Sequence, residues 1–186
     1  RWWWPIHDAG QNAEAVALRD ALLDKLAAVR VPNGPLEIMT DHFGHDKIIG
    51  YCNRPFASAA EMDENLVHNW NRVVQPEDRV YCLGDVAMKK RQLNIVQRLN
   101  GHKRIIPGNH DIFEAKDYIA AGFQKVMGMR VLDGMLLTHV PIHPGSMGRF
   151  RANVHGHIHE RSLLPPYINV SVEVIDYTPI ALDVIS

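Results

Sequence analysis

The chain has 186 residues, a formal net charge of −1, and 46% hydrophobic and 22% charged residues. Those figures fit one soluble domain with a single core. They exclude disordered and collagen-like chains and disfavour a protein that coats polyanions by bulk charge. No apolar run approaches the roughly 18 residues of a membrane span. Arg1-Trp2-Trp3-Trp4-Pro5 lacks the apolar core of a signal peptide, and the two cysteines, Cys52 and Cys82, are too few for a disulfide framework. The expectation is a cytoplasmic protein with no membrane partner.

Asn12 to Arg30 reads as an amphipathic helix. Asn12 is its N-cap, Glu14 lies in the first turn, and Leu18, Leu22, Leu26 and Val29 share one stripe. Val31-Pro32-Asn33-Gly34-Pro35 breaks it. Leu36 to Thr40 reads as a strand, and residues 41–57 as a loop with about one helical turn. Ser58-Ala-Ala-Glu61 is a capping-box pattern opening a helix that buries Met62, Leu66, Trp70 and Val73 and leaves His68 in solvent. Gln75-Pro76 ends that helix.

Arg79 to Leu83 is the next expected strand, stopping at Gly84-Asp85. A helix with Leu93, Val96 and Leu99 on one face follows, preceded by the solvated run Lys89-Lys90-Arg91 and ended by Asn100-Gly101. Lys103 to Ile106 is a strand running into Pro107-Gly108-Asn109-His110. A short helix and small strands come next. Val131 to Thr138 reads as one strand ending at His139, and Asn153 to His155 as another ending at Gly156-His157-Ile158-His159. Ile168 to Val174 and Ile180 to Ile185 read as strands of the tail. Alternating strands and helices predict a partly parallel sheet in the first half. The strand-rich second half predicts a second, mostly antiparallel one.

Ligand-type residues recur at the ends of these strands: Asp41 and His42, Asp85, Asn109 and His110, His139, and His157 with His159. Sites in open α/β sheets lie beyond the carboxyl ends of strands, so five segments converge on one place. Carboxylate, imidazole and amide oxygen suit Mn, Fe or Zn better than a thiolate zinc site does. The set exceeds the needs of one ion and fits two, about 3.5–4 Å apart and bridged by a carboxylate. A histidine beside the pair can protonate a leaving oxygen.

These blocks resemble the calcineurin-like metallophosphoesterase superfamily, whose pattern is Asp-x-His, Gly-Asp, Gly-Asn-His-Asp/Glu, a lone His after a strand, and Gly-His-x-His. Here they read Asp41-His42, Gly84-Asp85, Gly108-Asn109-His110-Asp111, His139 and Gly156-His157-Ile158-His159. His42-Phe43-Gly44-His45, Tyr51-Cys52-Asn53-Arg54-Pro55-Phe56 and the Asn169 to Ile180 tail resemble the small phage and bacterial branch. The resemblance covers roughly residues 36–185. It implies an α/β fold, a four-layer α-β-β-α sandwich of two mixed sheets flanked by helices. Residues 1–186 would form one such domain, with 1–34 a helical extension.

The resemblance also implies a division of labour. Asp85 would bridge two divalent ions, with Mn²⁺ first and Fe, Zn or Ni as alternatives. Asp41, His42 and His159 would complete one site, and Asn109, His139 and His157 the other. His110 would be the general acid, or else hold the phosphate, with Asp111 orienting it. Arg54 and His143 are weaker substrate candidates, and His45 a supporting one.

The sequence departs from the pattern where Asp41 and His42 are adjacent. Neighbours on a regular strand face opposite ways. Three arrangements reconcile this: the backbone leaves the strand there, Thr40 takes the aspartate slot, or a residue is missing between them. Met88 also stands where larger members carry a carboxylate.

The expected function is a binuclear phosphodiesterase acting on small phosphodiesters such as cyclic nucleotides, by in-line attack of a metal-bridging hydroxide. A nuclease and a phosphomonoesterase share the ligand set, although the net charge gives no support for tight nucleic-acid binding. A non-catalytic scaffold with a degenerate site is the alternative from another class.

Overall fold

The computed structural model describes residues 37–39 and 42–185. The expected helix Asn12–Arg30, the Trp2–Trp4 segment, Thr40 and Asp41 lie outside them. The described chain is mixed α/β with two sheets.

The first sheet holds β1 (Glu37–Met39), β2 (Arg79–Cys82), β3 (His102–Ile105), β4 (Lys125–Val126) and β9 (Ile180–Ala181), in the order β4-β3-β2-β1-β9. The first four are parallel, and β9 closes the β1 edge antiparallel. Val80, Tyr81 and Cys82 of the central β2 are all buried, as expected for a parallel strand covered on both faces.

Helices make the crossovers. α1 (Asp46–Tyr51) and α2 (Ala59–Val73) lie between β1 and β2, and α3 (Ala115–Ala120) between β3 and β4. α2 starts where its capping pattern predicts: Ser58 Oγ accepts from Glu61 N at 3.2 Å, and the Glu61 carboxylate accepts from Ala57 N at 2.8 Å. It buries Met62, Leu66 and Trp70, and the Trp70 indole donates to Asn100 O at 3.0 Å. The connection β2–β3 is a 3-10 helix, Lys90–Arg98, rather than the expected α-helix. Leu93, Val96 and Leu99 recur every third residue, which matches three residues per turn better than 3.6.

The second sheet has the order β5-β6-β7-β8: β5 (Arg130–Leu132), β6 (Met135–Leu137), β7 (Ala152–His155) and β8 (Tyr167–Asn169). Three expectations are corrected here. The stretch Val131–Thr138 is a hairpin, not one strand, because Asp133 (φ 45°) and Gly134 (φ 77°) turn the chain between β5 and β6. The sheet is mostly parallel, since β6, β7 and β8 run the same way. Connections 138–151 and 156–166 have the roughly dozen-residue length that a parallel return needs. The tail leaves its strands early: β8 ends at Asn169, turns cover 172–177, and Leu182–Ile185 is a helical turn, α4.

A contiguous core draws on both sheets and on α2, with Phe43, Leu66, Trp70, Leu83 and Ile105 joined to Met135, Leu137 and Val154. No helix among the described residues is long and apolar enough to cross a membrane.

Candidate metal centre

The two sheets meet at the carboxyl ends of their parallel strands. His139, just after β6, donates from Nδ1 to Leu83 O, just after β2, at 2.6 Å. A neutral ring bonded this way presents its Nε2 lone pair on the opposite side. Around that nitrogen stand Asn109 Oδ1 at 3.1 Å, His157 Nδ1 at 3.1 Å and Asp85 Oδ2 at 3.2 Å. Burial opposes charge on His139, but the hydrogen bond and charge of Asp85 outweigh it and raise the pKa. A positive charge is therefore favoured where these lone pairs converge.

Asp85 is 3% exposed. Burial pushes its pKa up, but His139 and the His110 amide act more strongly and hold it at about 2, so it is a carboxylate at neutral pH. Its Oδ1 accepts from His110 N at 2.8 Å. Asp111 fixes the turn beneath it: its carboxylate accepts from the amides of Asp85 (2.5 Å), Val86 (3.1 Å) and Gly108 (2.9 Å). Two glycines make the close approach feasible. A Cβ on Gly108 would collide with the Asp85 carboxylate and lie 2.6 Å from the His139 ring, and one on Gly84 would strike the Gly108 backbone.

The other flank is built around His42, which is 2% exposed. Its amide donates to Asp85 O at 2.8 Å, and its Nε2 lies 3.8 Å from Asp85 Oδ2. Both ring nitrogens are buried without a hydrogen-bond partner among the described residues, and burial drops the pKa to about 3. A neutral imidazole with unused nitrogens beside an ionised carboxylate is a donor set suited to a divalent ion. The His159 ring stacks 5.1 Å away, tilted by 30°. His42, Asp85, His157 and His159 all have positive φ (83°, 56°, 68° and 54°), a conformation that non-glycine residues rarely adopt and that clusters at functional sites. At His42 the backbone has therefore left the strand, as the first of the three arrangements requires.

Asn109 and His110 lie exposed at the rim. The His110 ring sits 6.2 Å from that of His42 and 6.4 Å from that of His45. Arg54 and His143, the two weaker substrate candidates, both have partners within the protein. Arg54 is 4% exposed, and its guanidinium is committed to Glu173, with Nε and Nη2 donating to Oε1 at 3.0 and 2.6 Å. His143 caps a 3-10 turn, Pro144–Ser146, by accepting from Gly145 N at 3.0 Å.

Sequence reasoning missed Glu173. Its Oε1 also lies 3.1 Å from His159 Nδ1. Burial acts to raise its pKa, but His159 and Arg54 together bring it to about 2. Nothing around Glu173 marks it in the sequence, because it sits alone in an apolar run. It also missed Asn153, fully buried, which donates to Leu136 O and Thr138 Oγ1 at 2.9 Å each and accepts from Ile142 N at 2.9 Å. These bonds brace the loop that carries His139.

Two groups among the described residues could hold a metal ion: Asp85, His139 and His157, and Cys52, His159 and Glu173. In each, the ligand atoms lie within 4.8 Å of one another.

No protein-family model matches the chain. It is 37% identical over 164 residues to the uncharacterized protein MJ1445 of Methanocaldococcus jannaschii, across 80% of this chain and 86% of that one. Its fold is similar to that of a protein of unknown function, AQ665, from Aquifex aeolicus. The TM-score there is 0.59 at 25% identity, over 80% of this chain and 95% of that chain. A second solved structure, the Pseudomonas putida nuclease MPE, gives a TM-score of 0.48 at 19% identity, over 68% of this chain and 62% of that chain. A likeness at that level carries no argument about activity. The chain belongs to the same family as the M. jannaschii protein.

Proposed function

We propose that this chain is a metal-dependent phosphoric ester hydrolase of the calcineurin-like metallophosphoesterase superfamily, a phosphodiesterase acting on small diesters such as cyclic nucleotides. Its architecture on this reading is a four-layer α-β-β-α sandwich forming one domain, with residues 1–34 as an extension. The observation that carries the reading is the convergence of His42, Asp85, Asn109, His139, His157 and His159 from five loops, with the nitrogens of His42 buried and without a hydrogen-bond partner among the described residues.

Asp85 would be shared by two ions, Mn²⁺ first. His42 and His159, with Asp41, would hold one, and Asn109, His139 and His157 the other. Bound there, the ions would supply Lewis acidity and lower the pKa of water. The chain's own groups do the rest. Asp85 stays ionised, and His42 and His157 are kept neutral by burial, so their lone pairs are available at neutral pH. Asp111 and Gly108 hold the Asp85 turn against the His110 loop. His110, exposed and tethered through its amide to Asp85 Oδ1, gives a proton to the departing oxygen. The near-zero net charge favours a small diester over a long nucleic acid.

The test is hydrolysis of bis(p-nitrophenyl) phosphate against p-nitrophenyl phosphate, with and without Mn²⁺, in wild type, Asp85→Ala and His110→Ala. The expected result is Mn²⁺-dependent diester cleavage, abolished in Asp85→Ala and reduced about 10²–10⁴-fold in His110→Ala. A preference for the monoester would make the chain a phosphomonoesterase. Inactivity on both esters with every divalent metal would make it a scaffold.

A further inference from the structure

His159 reaches the centre from a loop, yet one of its nitrogens is spoken for. Nδ1 lies 3.1 Å from Glu173 Oε1. The same oxygen accepts from Arg54 Nε at 3.0 Å and Nη2 at 2.6 Å. The Arg54 side chain is 0% exposed and that of Glu173 is 5% exposed, so neither can swing into solvent. Arg54 Nη1 is further seated on Met62 Sδ at 3.1 Å, on α2. The carbonyl of His159 is held as well, accepting from Asn169 Nδ2 at 2.6 Å.

Glu173 Oε1 already accepts two hydrogen bonds from the Arg54 guanidinium, so it meets His159 as an acceptor. His159 must therefore carry its proton on Nδ1, which leaves Nε2 as the lone-pair nitrogen. Carboxylates that fix a ligating imidazole in this way raise its basicity and lock its rotation. We infer that Arg54 and Glu173 form a buried pair that positions His159, setting its tautomer and ring orientation for a divalent cation shared with His42 and Asp85. Glu173 acts through His159, and Arg54 acts through Glu173. The inference rests on the metal reading above. It also gives Arg54 a role that fits its burial.

Cys52 is the competitor for this arrangement, because its sulfur lies within 4.8 Å of the ligand atoms of both His159 and Glu173. If those three held the ion themselves, Glu173 would be a ligand and the thiol another. The two arrangements predict different losses.

The experiment uses the metal-free full chain. Long-range ¹⁵N–¹H NMR reads the His159 tautomer, and calorimetric titration with MnCl₂ reads affinity. Glu173→Gln alone strands a buried guanidinium and can unfold the chain, so the informative variant is Arg54→Met with Glu173→Leu, which removes both charges together. The expected wild-type ring is protonated at Nδ1. In the double variant that tautomer loses its dominance and one Mn²⁺ site weakens about 10–100-fold, while the melting transition stays cooperative. Cys52→Ser keeps wild-type affinity. An unchanged tautomer with wild-type Mn²⁺ binding in the double variant overturns the positioning role alone. A comparable loss in Cys52→Ser overturns it too, by making the thiol a ligand. A wild-type chain that takes up no Mn²⁺ brings down the metal reading and this inference together.

Discussion

Around His139, both ring nitrogens have partners within 3.2 Å, whereas among the described residues neither nitrogen of the buried His42 ring has one. The His139 flank is held by the strand ends themselves. Leu83 O, Asp85 and Asn109 come straight off β2 and β3, and Asn153 on β7 braces the following loop. The His42 flank is held from outside. His159 leans on Glu173, which leans on Arg54 from the far side of the sequence. One flank is preformed by the sheets, and the other depends on a buried charge pair.

The largest effect should follow from the group common to both flanks. Asp85→Ala should lower Mn²⁺-dependent hydrolysis by on the order of 10³-fold or more, as seen when a central electrostatic group is removed. A merely tenfold loss would show that the flanks act separately. His157→Ala attacks the preformed flank alone, because it removes the imidazole whose Nδ1 lies 3.1 Å from His139 Nε2. Activity should fall nearly as far, and calorimetry should show one Mn²⁺ site lost with the other retained. Loss of both would show that the division into flanks is wrong.

Asn153→Ala strands Ile142 N and removes the donor from Leu136 O on β6 and from Thr138 Oγ1 just after it. It should cost about 1–3 kcal/mol in urea unfolding, with a smaller effect on turnover. Acid should expose the charge pair. Asp85 and Glu173 are both held near about 2, below their ordinary 3.8 and 4.5. Their contribution to stability is complete above the ordinary values and is lost as the pH falls through about 2. Urea midpoints of the metal-free chain should decline across that window, less steeply in the Arg54→Met, Glu173→Leu variant. An identical decline would mean that the pair contributes nothing. The smallest effect belongs to Ser58→Ala, a cap remote from both flanks, which should cost about 1 kcal/mol and leave Mn²⁺ affinity unchanged.

The same contrast governs what the sequence reveals. Asp85, Asn109, His139 and His157 are legible because each lies shortly after a strand, all but His139 beside glycine, with the order of the strands fixing the order of the ligands. The Asp133-Gly134 hairpin carried its own turn signature, but the apolar run across it reads as continuous strand. The parallel course of β6, β7 and β8 depends on where irregular connections return, which no local pattern encodes. Glu173 is hidden for a different reason. It lies in a turn-rich stretch after β8, where the facing of a side chain is set by backbone torsion rather than by period, and its partners are distant in sequence. Arg54 is legible as a functional candidate, but its burial against Glu173 follows from tertiary packing that no local pattern encodes.

Arg54 and Glu173 are 119 residues apart in the chain. A ribosome-bound or proteolysed chain that stops short of Glu173 can still carry Asp85, Asn109, His139 and His157, but it has no anchor for His159. Until the turns that follow β8 dock, the Arg54 guanidinium lacks its carboxylate partner and His159 lacks its anchor, so the second flank sets only when the segment before α2 and those turns meet.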